Sequence, residues 1–450
     1  MTDNRHLGSG LQSFAVTFRN LFLLLVLASL APAQTRKLSP RDLPPSAFKL
    51  IAVKVTGNQR YTPEEVTDIA GLKLGQTVSE ADFKAASQHL GDSGAFTDVA
   101  YSFQYATEGT RLTLQVTEAD NLVSTRFDNF VWYSDEELLA KLRERVPLFH
   151  GQLPVAGNLP DKISDALQAL LDERRVDGRV DYLRSAAKAD GPTDAFVYIV
   201  KGADIRIRNL GFAGAGTAEL PALQAAAKPM EGANYVRSIL RVQEDRNLLP
   251  VYLARGYLKA SFADAQAEVV TDSSKPTLVD VTIPVTPGVE YKTTDVQLSG
   301  ANAFPAAQLR PMIHLETGQP ANAVQLLDDL EAMKKLYGTK GYMAASFDPA
   351  PEMDDAQAAV KYVIEIREGD VYKMGDLTIE GLDKQTTARI QEAWQLRGGD
   401  PYDSSYLRRF IADTARDIQD MGGWKITSHE TLDDKDKVVD VTIHYDPKTQ

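Results

Sequence analysis

The sequence predicts an α+β fold of five tandem domains, each with the element order β-α-α-β-β. Two glycine markers recur about every 80 residues, which is typical of a repeat array. Between the markers, hydrophobic residues follow first a strand period and then a helix period. At 450 residues, with 43% hydrophobic and 25% charged residues, the chain has the length and composition of a multidomain globular protein.

The N-terminus has the pattern of an export signal. Two arginines precede an apolar run at residues 21–30, and the small residues Ala31-Pro32-Ala33 follow it. We therefore expect residues 1–33 to be a signal peptide, cleaved after Ala33, and the proline-containing segment 34–47 to be a linker. The run is shorter than the roughly 20 apolar residues that span a bilayer. An uncleaved N-terminal anchor is the alternative interpretation.

Charge and cysteine content exclude several functions. The net charge of −13 argues against a nucleic-acid-binding protein, which needs a basic surface. The chain has no cysteine, which excludes disulfides, zinc–thiolate sites, cysteine nucleophiles and a lipoprotein anchor. No later apolar run is long enough to span a membrane, so no direct membrane span is expected after the N-terminal segment.

Each repeat is expected to begin with a strand, such as residues 51–55, that ends in a Gly-Asn turn. A short helix follows a capping residue such as Thr62, and a longer helix follows Ser79 with Asp82 three residues on. The first marker glycine is expected to end the short helix and the second to end the long one. The first markers are Gly75, Gly151, Gly232, Gly318 and Gly399. The second markers are Gly94, Gly178, Gly256, Gly341 and Gly423.

Two strands complete each unit, and the repeats define the predicted domains. Repeats 1 to 5 are residues 48–119, 120–202, 203–288, 289–369 and 370–447. Repeat 2 has an extended segment, 153–160, before its second helix, and Pro250 in repeat 3 should kink or shorten its second helix. Each repeat is expected to have its own core, so that residues 370–450 should fold alone.

Three features resemble POTRA domains: the element order, the turn Val55-Thr56-Gly57-Asn58, and the Gly-Tyr pairs at Gly256 and Gly341. Five such domains behind a signal peptide resemble the periplasmic part of the outer-membrane barrel-assembly factors, the BamA family. The resemblance covers nearly all of the mature chain. It implies three-stranded mixed sheets, each packed by two helices, in a periplasmic protein that is peripheral to the outer membrane.

The resemblance implies a scaffold or chaperone-like module that binds unfolded outer-membrane β-barrel proteins by β-augmentation. Further expected partners are a separate barrel or assembly lipoproteins. The family continues into a membrane barrel, whereas this sequence ends at Gln450, just after the last predicted strand. The alternatives are an inner-membrane-anchored interaction protein of the cell-division type and the truncated frame of a full assembly factor.

No pattern in the sequence predicts catalysis. Gly91-Asp92-Ser93-Gly94 matches the surroundings of a serine nucleophile, but it falls where each repeat ends a helix. The six histidines do not have metal-binding spacing, and the acidic segment 433–437 is expected to be a solvated hairpin turn. We therefore expect a protein that is not an enzyme and has no metal site or cofactor.

The candidate client-binding site is the second strand of repeats 3 and 4, which the POTRA-like topology places at a sheet edge. These strands are predicted at residues 257–262 and 342–347. Lys259 would guard the first edge against pairing, whereas Ala344 leaves the second without a guard, so repeat 4 is expected to be more receptive. The candidate residues are Tyr257, Leu258, Lys259, Tyr342, Met343, Ala344, Ala345 and Ser346.

Overall fold

The structure is a computed structural model that describes residues 43–185, 194–271, 276–419 and 424–447. The predicted signal peptide, the first part of the linker and the marker Gly423 lie outside the described residues. The described chain forms five separate sheets with helices between their strands, which confirms the predicted α+β class and the tandem arrangement.

Repeat 1 has the predicted element order and a three-stranded mixed sheet. Its elements are β1 (Leu50–Thr56), α1 (Pro63–Ile69), α2 (Glu80–Asp92), β2 (Phe96–Ala106) and β3 (Gly109–Glu118). The sheet order is β1-β3-β2, with β1 parallel and β2 antiparallel to the central β3. Both helices begin at the predicted capping residues, Thr62 and Ser79, and each forms a reciprocal capping box.

Repeat 2 has four strands rather than the expected three. Its elements are β4 (Leu122–Phe127), α3 (Asp135–Arg145), β5 (Gln152–Pro154), α4 (Leu159–Arg174), β6 (Arg179–Ser185) and β7 (Ala195–Lys201). The additional strand β5 pairs antiparallel with β4. Other repeats form only an isolated bridge at the same place, such as Lys49 with Thr77. The extended segment noted in the sequence lengthens that bridge into a short strand.

Repeat 3 also has four strands, and its second helix is broken. Its elements are β8 (Ile205–Ala213), α5 (Leu220–Ala227), α6 (Arg237–Gln243), α7 (Leu249–Leu253), β9 (Ser261–Phe262), β10 (Gln266–Thr271) and β11 (Thr277–Thr286). A π-helical turn, Glu244–Leu248, separates α6 from α7, because Pro250 cannot donate the hydrogen bond that a continuous helix needs. The edge strand is interrupted between β9 and β10, which both pair with β11.

Repeats 4 and 5 repeat the three-stranded plan of repeat 1. Repeat 4 contains β12 (Lys292–Ser299), α8 (Ala306–Leu309), α9 (Ala323–Gly338), β13 (Ser346–Asp354) and β14 (Ala359–Arg367). Repeat 5 contains β15 (Lys373–Glu380), α10 (Lys384–Ala393), α11 (Tyr406–Gln419), β16 (Trp424–Asp433) and β17 (Val438–Pro447). The acidic segment 433–437 is the predicted hairpin turn, in which Asp433 accepts backbone hydrogen bonds from Lys435 and Asp436.

The first marker glycine lies beyond the short helix instead of ending it. In repeat 1, α1 stops at Ile69, and the N–H of Gly75 donates to the carbonyl of Leu50 in β1 at 2.7 Å. Its φ of +86° favours glycine at this turn. The repeated glycine therefore returns the chain to strand 1, which is why it recurs even though helix length varies.

The buried side chains form three clusters. One runs continuously from Leu50 to Val285 through repeats 1 to 3, whereas repeats 4 and 5 each have a separate cluster. Buried contacts therefore join repeats 1 to 3, and the independent folding of single repeats stays a prediction. Within the described ranges, no helix combines the length and the apolar composition needed to cross a bilayer.

Candidate functional site

The residues predicted to form client-binding strands lie in turns. Three of them follow α7 and four follow α9, and only Ser346 belongs to a strand, as the first residue of β13. Backbone hydrogen bonds close the first turn, from Leu258 to Gly256 at 3.0 Å and from Ala260 to Tyr257 at 3.2 Å. The predicted strand assignment is therefore wrong for Tyr257, Leu258, Lys259, Tyr342, Met343, Ala344 and Ala345.

These turns join one repeat to the next. Leu258 of repeat 3 packs against the core of repeat 4, and Met343 of repeat 4 packs against the core of repeat 5. The N–H of Tyr291 donates to the carbonyl of Gly256 at 2.8 Å, and the equivalent bond from Tyr372 to Gly341 is 2.7 Å long. The apolar residue at this position is explained by burial in the following domain rather than by strand alternation.

Lys259 is a junction residue and not an edge guard. Its Nζ lies 2.6 Å from both carboxylate oxygens of Asp355, in the β13–β14 turn of repeat 4. The hydroxyl of Tyr291 donates to the same carboxylate at 2.6 Å. Hydrogen bonds from Lys259 and then from Tyr291 lower the pKa of the Asp355 carboxyl. The difference between Lys259 and Ala344 therefore does not decide which sheet edge is open.

One open edge of each sheet is the first strand of its hairpin. In every sheet this strand is at an edge: β2, β6, β10, β13 and β16. Within the described part of the chain, each pairs with one other strand only. An edge strand leaves one row of backbone donors and acceptors unpaired, and these can pair with an extended segment of any sequence.

Two prolines block the edge of repeat 4. Pro349 and Pro351 lie in the middle of β13, opposite Ile364 and Tyr362 of β14. Proline is accommodated in an edge strand where its nitrogen faces away from the ladder, and residues two apart face the same way. The two prolines thus remove two successive outward-facing donors. This edge, which the sequence suggested was the most receptive, is the one with proline protection.

The edge of repeat 1 has a row of aromatic rings beside it. Between Phe96 and Ala106, β2 contains no proline, and alternate residues of it are half-buried against α2. Phe83 of α2 lies 4.9 Å from the ring of Phe103, and the ring of Tyr105 is 5.2 Å from Phe103 on the other side. A strand added to β2 would place alternate side chains beside this row of rings.

The edge of repeat 5 is also free of proline. A groove of about 420 Å³ lies between α11 and β16. Leu407 and Ile411 line its helix side, and Ser428 and Glu430 line its strand side. The Glu430 carboxylate also accepts a hydrogen bond from the hydroxyl of Tyr402 at 2.5 Å.

Comparison with known families identifies the repeating unit. Residues 48–119 and 291–369 match the POTRA family model, which is described as a surface antigen variable number repeat. These segments cover repeats 1 and 4, which share the three-stranded mixed sheet. Repeats 1 and 4 therefore match the POTRA family.

The chain is similar to outer-membrane assembly factors over part of their length. It is 20% identical over 371 residues to outer membrane protein assembly factor BamA of Neisseria meningitidis, covering 80% of this chain and 45% of that protein. It is 26% identical over 157 residues to a putative outer membrane protein assembly factor of Treponema pallidum, covering 34% of this chain and 18% of that protein. The chain therefore spans less than half the length of both relatives.

The chain is similar to a solved structure, the crystal structure of POTRA domains 3–5 of Haemophilus influenzae BamA. It covers 54% of this chain and 96% of its own length, with 19% sequence identity and a TM-score of 0.44. Domains 1–3 of Omp85 from Anabaena cover 55% of this chain and 95% of their own length, with 14% identity and a TM-score of 0.23.

Two patterns in the sequence could have located the edges of these POTRA domains. The alternation Tyr101, Phe103 and Tyr105 indicates a half-buried strand with an aromatic face. The pair Pro349 and Pro351, inside a segment otherwise compatible with a strand, indicates an edge with blocked donors. The proline pair lies just beyond the Gly-Tyr turn of repeat 4, and the aromatic alternation lies just beyond the equivalent glycine of repeat 1, Gly94.

Proposed function

We propose that this protein is a non-enzymatic periplasmic module of outer-membrane protein assembly that receives unfolded barrel proteins on its POTRA sheet edges. The relatives named as outer membrane protein assembly factors support this role. The acidic composition and the export pattern at residues 1–33 support a secreted protein that does not bind nucleic acid. A separate barrel or assembly lipoproteins would be further partners.

The observation that carries the proposal is the open edge β2 of repeat 1. Backbone pairing gives affinity without demanding a particular sequence, as a receiver of many different proteins requires. The neighbouring row of aromatic rings favours segments with alternating apolar side chains, because each strand residue points to the face opposite that of its neighbour. Strands of a membrane barrel have this alternation.

Photo-crosslinking tests the proposal. A crosslinking residue replaces the exposed Ser102 of β2, the exposed Ala350 of β13, or Gln115 of the central strand β3 as a control. The probe is an outer-membrane barrel protein diluted from urea. We expect strong labelling from position 102, weak labelling from 350 and background labelling from 115, because β2 is the only one of these three strands that both lies at an edge and has intact donors.

Removing the two prolines of β13 should increase client labelling at the repeat 4 edge. The double variant Pro349→Ala and Pro351→Ala restores two outward-facing donors in β13, so labelling from position 350 should rise toward that from position 102. Equal labelling from 102 and 115 would contradict reception at the edge. An unchanged signal at position 350 in the double variant would contradict backbone pairing as its basis.

A further inference from the structure

The turn that joins repeat 4 to repeat 5 differs from the turn that joins repeat 3 to repeat 4 in the chemistry of one apolar residue. Leu258, two residues after Gly256, packs against the core of repeat 4. Met343, two residues after Gly341, packs in the same way against the core of repeat 5. Both side chains make an apolar contact, but the second one places a thioether between two repeats.

The two junctions also differ in charge. Lys259 lies 2.6 Å from the Asp355 carboxylate across the junction of repeats 3 and 4, whereas the residue equivalent to Lys259 in the next turn is Ala344. Arg367 and Lys437, which flank the junction of repeats 4 and 5, form their ion pairs within their own repeats. The second junction therefore depends more on its apolar contact than the first.

Backbone hydrogen bonds cross the junction of repeats 4 and 5 beside Met343. The N–H of Tyr372 donates to the carbonyl of Gly341 at 2.7 Å. The N–H of Ser404 donates to the carbonyl of Gly338 at 3.1 Å. Both bonds require the two repeats to stay in contact, so hydrogen exchange of these two amides reports when the junction opens.

Methionine is the only sulfur-containing residue of the chain, because the chain has no cysteine. Among the residues that the structure describes, three methionines are buried: Met230, Met333 and Met374. Three others are half-buried and therefore accessible to a small oxidant: Met312, Met343 and Met353. Met312 and Met353 pack against the core of their own repeat, whereas Met343 packs against the core of the next one. A change at Met343 therefore acts on a contact between repeats.

We infer that Met343 is an oxidation site that controls the contact between repeats 4 and 5. A two-electron oxidant such as hypochlorous acid transfers its oxygen to the thioether. An S–O bond forms, the O–Cl bond breaks, the sulfur gives up two electrons, and chloride and a proton are released. The resulting sulfoxide is polar, so it is unfavourable against the apolar core of repeat 5. The oxidised side chain leaves that core, and the junction opens.

The modification is reversible, because methionine sulfoxide reductases return the sulfoxide to the thioether with a dithiol as the electron source. The junction of repeats 3 and 4 stays closed under the same oxidant, since leucine is not oxidised and the ion pair of Lys259 remains. The chain thus has one junction that responds to oxidants and one that resists them. This inference goes beyond the reception of unfolded chains and does not depend on it.

Hydrogen exchange followed by mass spectrometry tests the inference on the full chain. The protein is treated with increasing amounts of hypochlorous acid, and peptide mapping measures the sulfoxide at each methionine. We expect Met343 to be oxidised before the buried methionines. The amides of Tyr372 and Ser404 should then exchange about tenfold faster, because the junction has lost a favourable apolar contact. The amide of Tyr291, which donates to Gly256 at the junction of repeats 3 and 4, should exchange at an unchanged rate.

Met343→Leu is the matched variant, since it gives the second turn the residue that the first turn has. Exchange at Tyr372 should be slow in this variant both before and after oxidation. In the oxidised wild type, a methionine sulfoxide reductase with dithiothreitol should restore the slow exchange. Circular dichroism checks that the variant and the oxidised protein are folded.

Several results would overturn the inference. One is a Met343 that is oxidised only after the buried methionines, and another is an oxidised Met343 with unchanged exchange at Tyr372. Equal acceleration in Met343→Leu would assign the effect to another methionine. Equal acceleration at Tyr291 would indicate a general loss of stability instead of an open junction. Exchange that stays fast after the reductase has removed the sulfoxide would contradict a reversible site.

Discussion

Glu244 places a carboxyl group in the core of repeat 3. The residue lies in the π-helical turn between α6 and α7 and is 2% exposed. Burial raises the pKa of Glu244 to about 7, and the nearby Arg241 guanidinium opposes this shift only in part. One carboxyl oxygen has no hydrogen-bond partner among the described residues. The broken helix therefore brings a titratable group into the apolar layer.

The stability of the shared core of repeats 1 to 3 should depend on this proton. The pKa of Glu244 is higher in the folded chain than in the unfolded chain, so the folded state binds the proton more tightly. The resulting stabilisation, about 3 kcal/mol at most, is present below pH 4.5 and is lost as the pH rises through about 7. Urea unfolding followed by Trp132 should therefore show a lower midpoint at pH 8 than at pH 5.5.

The variant Glu244→Gln should abolish most of this difference between the two pH values, because glutamine does not titrate. Glu268→Gln is the control, since its side chain is an exposed carboxyl of the same repeat that does not act on Glu244. If the midpoint changes between the two pH values by the same amount in the wild type and in Glu244→Gln, then other groups cause the pH dependence.

At the scale of elements, the turn after the long helix connects repeat 3 to repeat 4 and repeat 4 to repeat 5. Its glycine carbonyl accepts from a tyrosine near the start of the next repeat, and its apolar residue packs against the next core. Gly341 shows how close this approach is. A Cβ at this position would lie 2.5 Å from the carbonyl oxygen of Tyr372, which belongs to the backbone and cannot move aside alone.

The variant Gly341→Ala should destabilise repeats 4 and 5 more than Gly318→Ala. Both glycines have positive φ, +86° and +83°, so both variants carry the strain of a left-handed alanine, about 1–2 kcal/mol. A Cβ at Gly318 meets nothing within 4 Å, whereas the one at Gly341 displaces the repeat 5 backbone. Thermal unfolding of the full chain followed by far-ultraviolet circular dichroism measures both. Equal shifts of the midpoint would contradict the close junction.

At the scale of the whole molecule, the clusters of buried residues divide the five repeats into three units. Repeats 1 to 3 share one cluster, and repeats 4 and 5 have their own, linked by Leu258 and Met343. Units with separate cores unfold in separate transitions when few contacts join them. Folding of residues 370–450 alone stays a prediction, although its cluster is separate from the others.

A substitution in the core of repeat 1 should therefore act at a distance within the shared unit. Phe83 is fully buried, and Phe83→Ala should cost about 3–5 kcal/mol. With Trp132 as the sole tryptophan, the variant should lower the urea midpoint reported from repeat 2. With Trp424 as the sole tryptophan, the midpoint of repeat 5 should stay unchanged. A change at Trp424 as large as at Trp132 would indicate one cooperative unit for the whole chain.

The sequence alone determined the number of repeats, the element order and the helix starts. These features depend on local chemistry: Thr62 and Ser79 cap helices from their own first turns, and Pro250 breaks its own helix. The extended segment of repeat 2 likewise indicated an additional feature, which the structure shows to be β5. The hydrophobic period and the capping residues are sufficient to predict these features, because both act within a few residues of the chain.

Only the tertiary structure decided which surface each apolar residue covers. Leu258 and Met343 have the apolar character of a strand interior, but they are buried in the following repeat. Lys259 has the character of an edge guard, but its partner Asp355 is distant in the sequence. The type of a residue indicates whether it is buried or paired, but it does not indicate which residue it contacts. The junctions, the shared core and the open edges therefore depend on how the repeats are arranged in space.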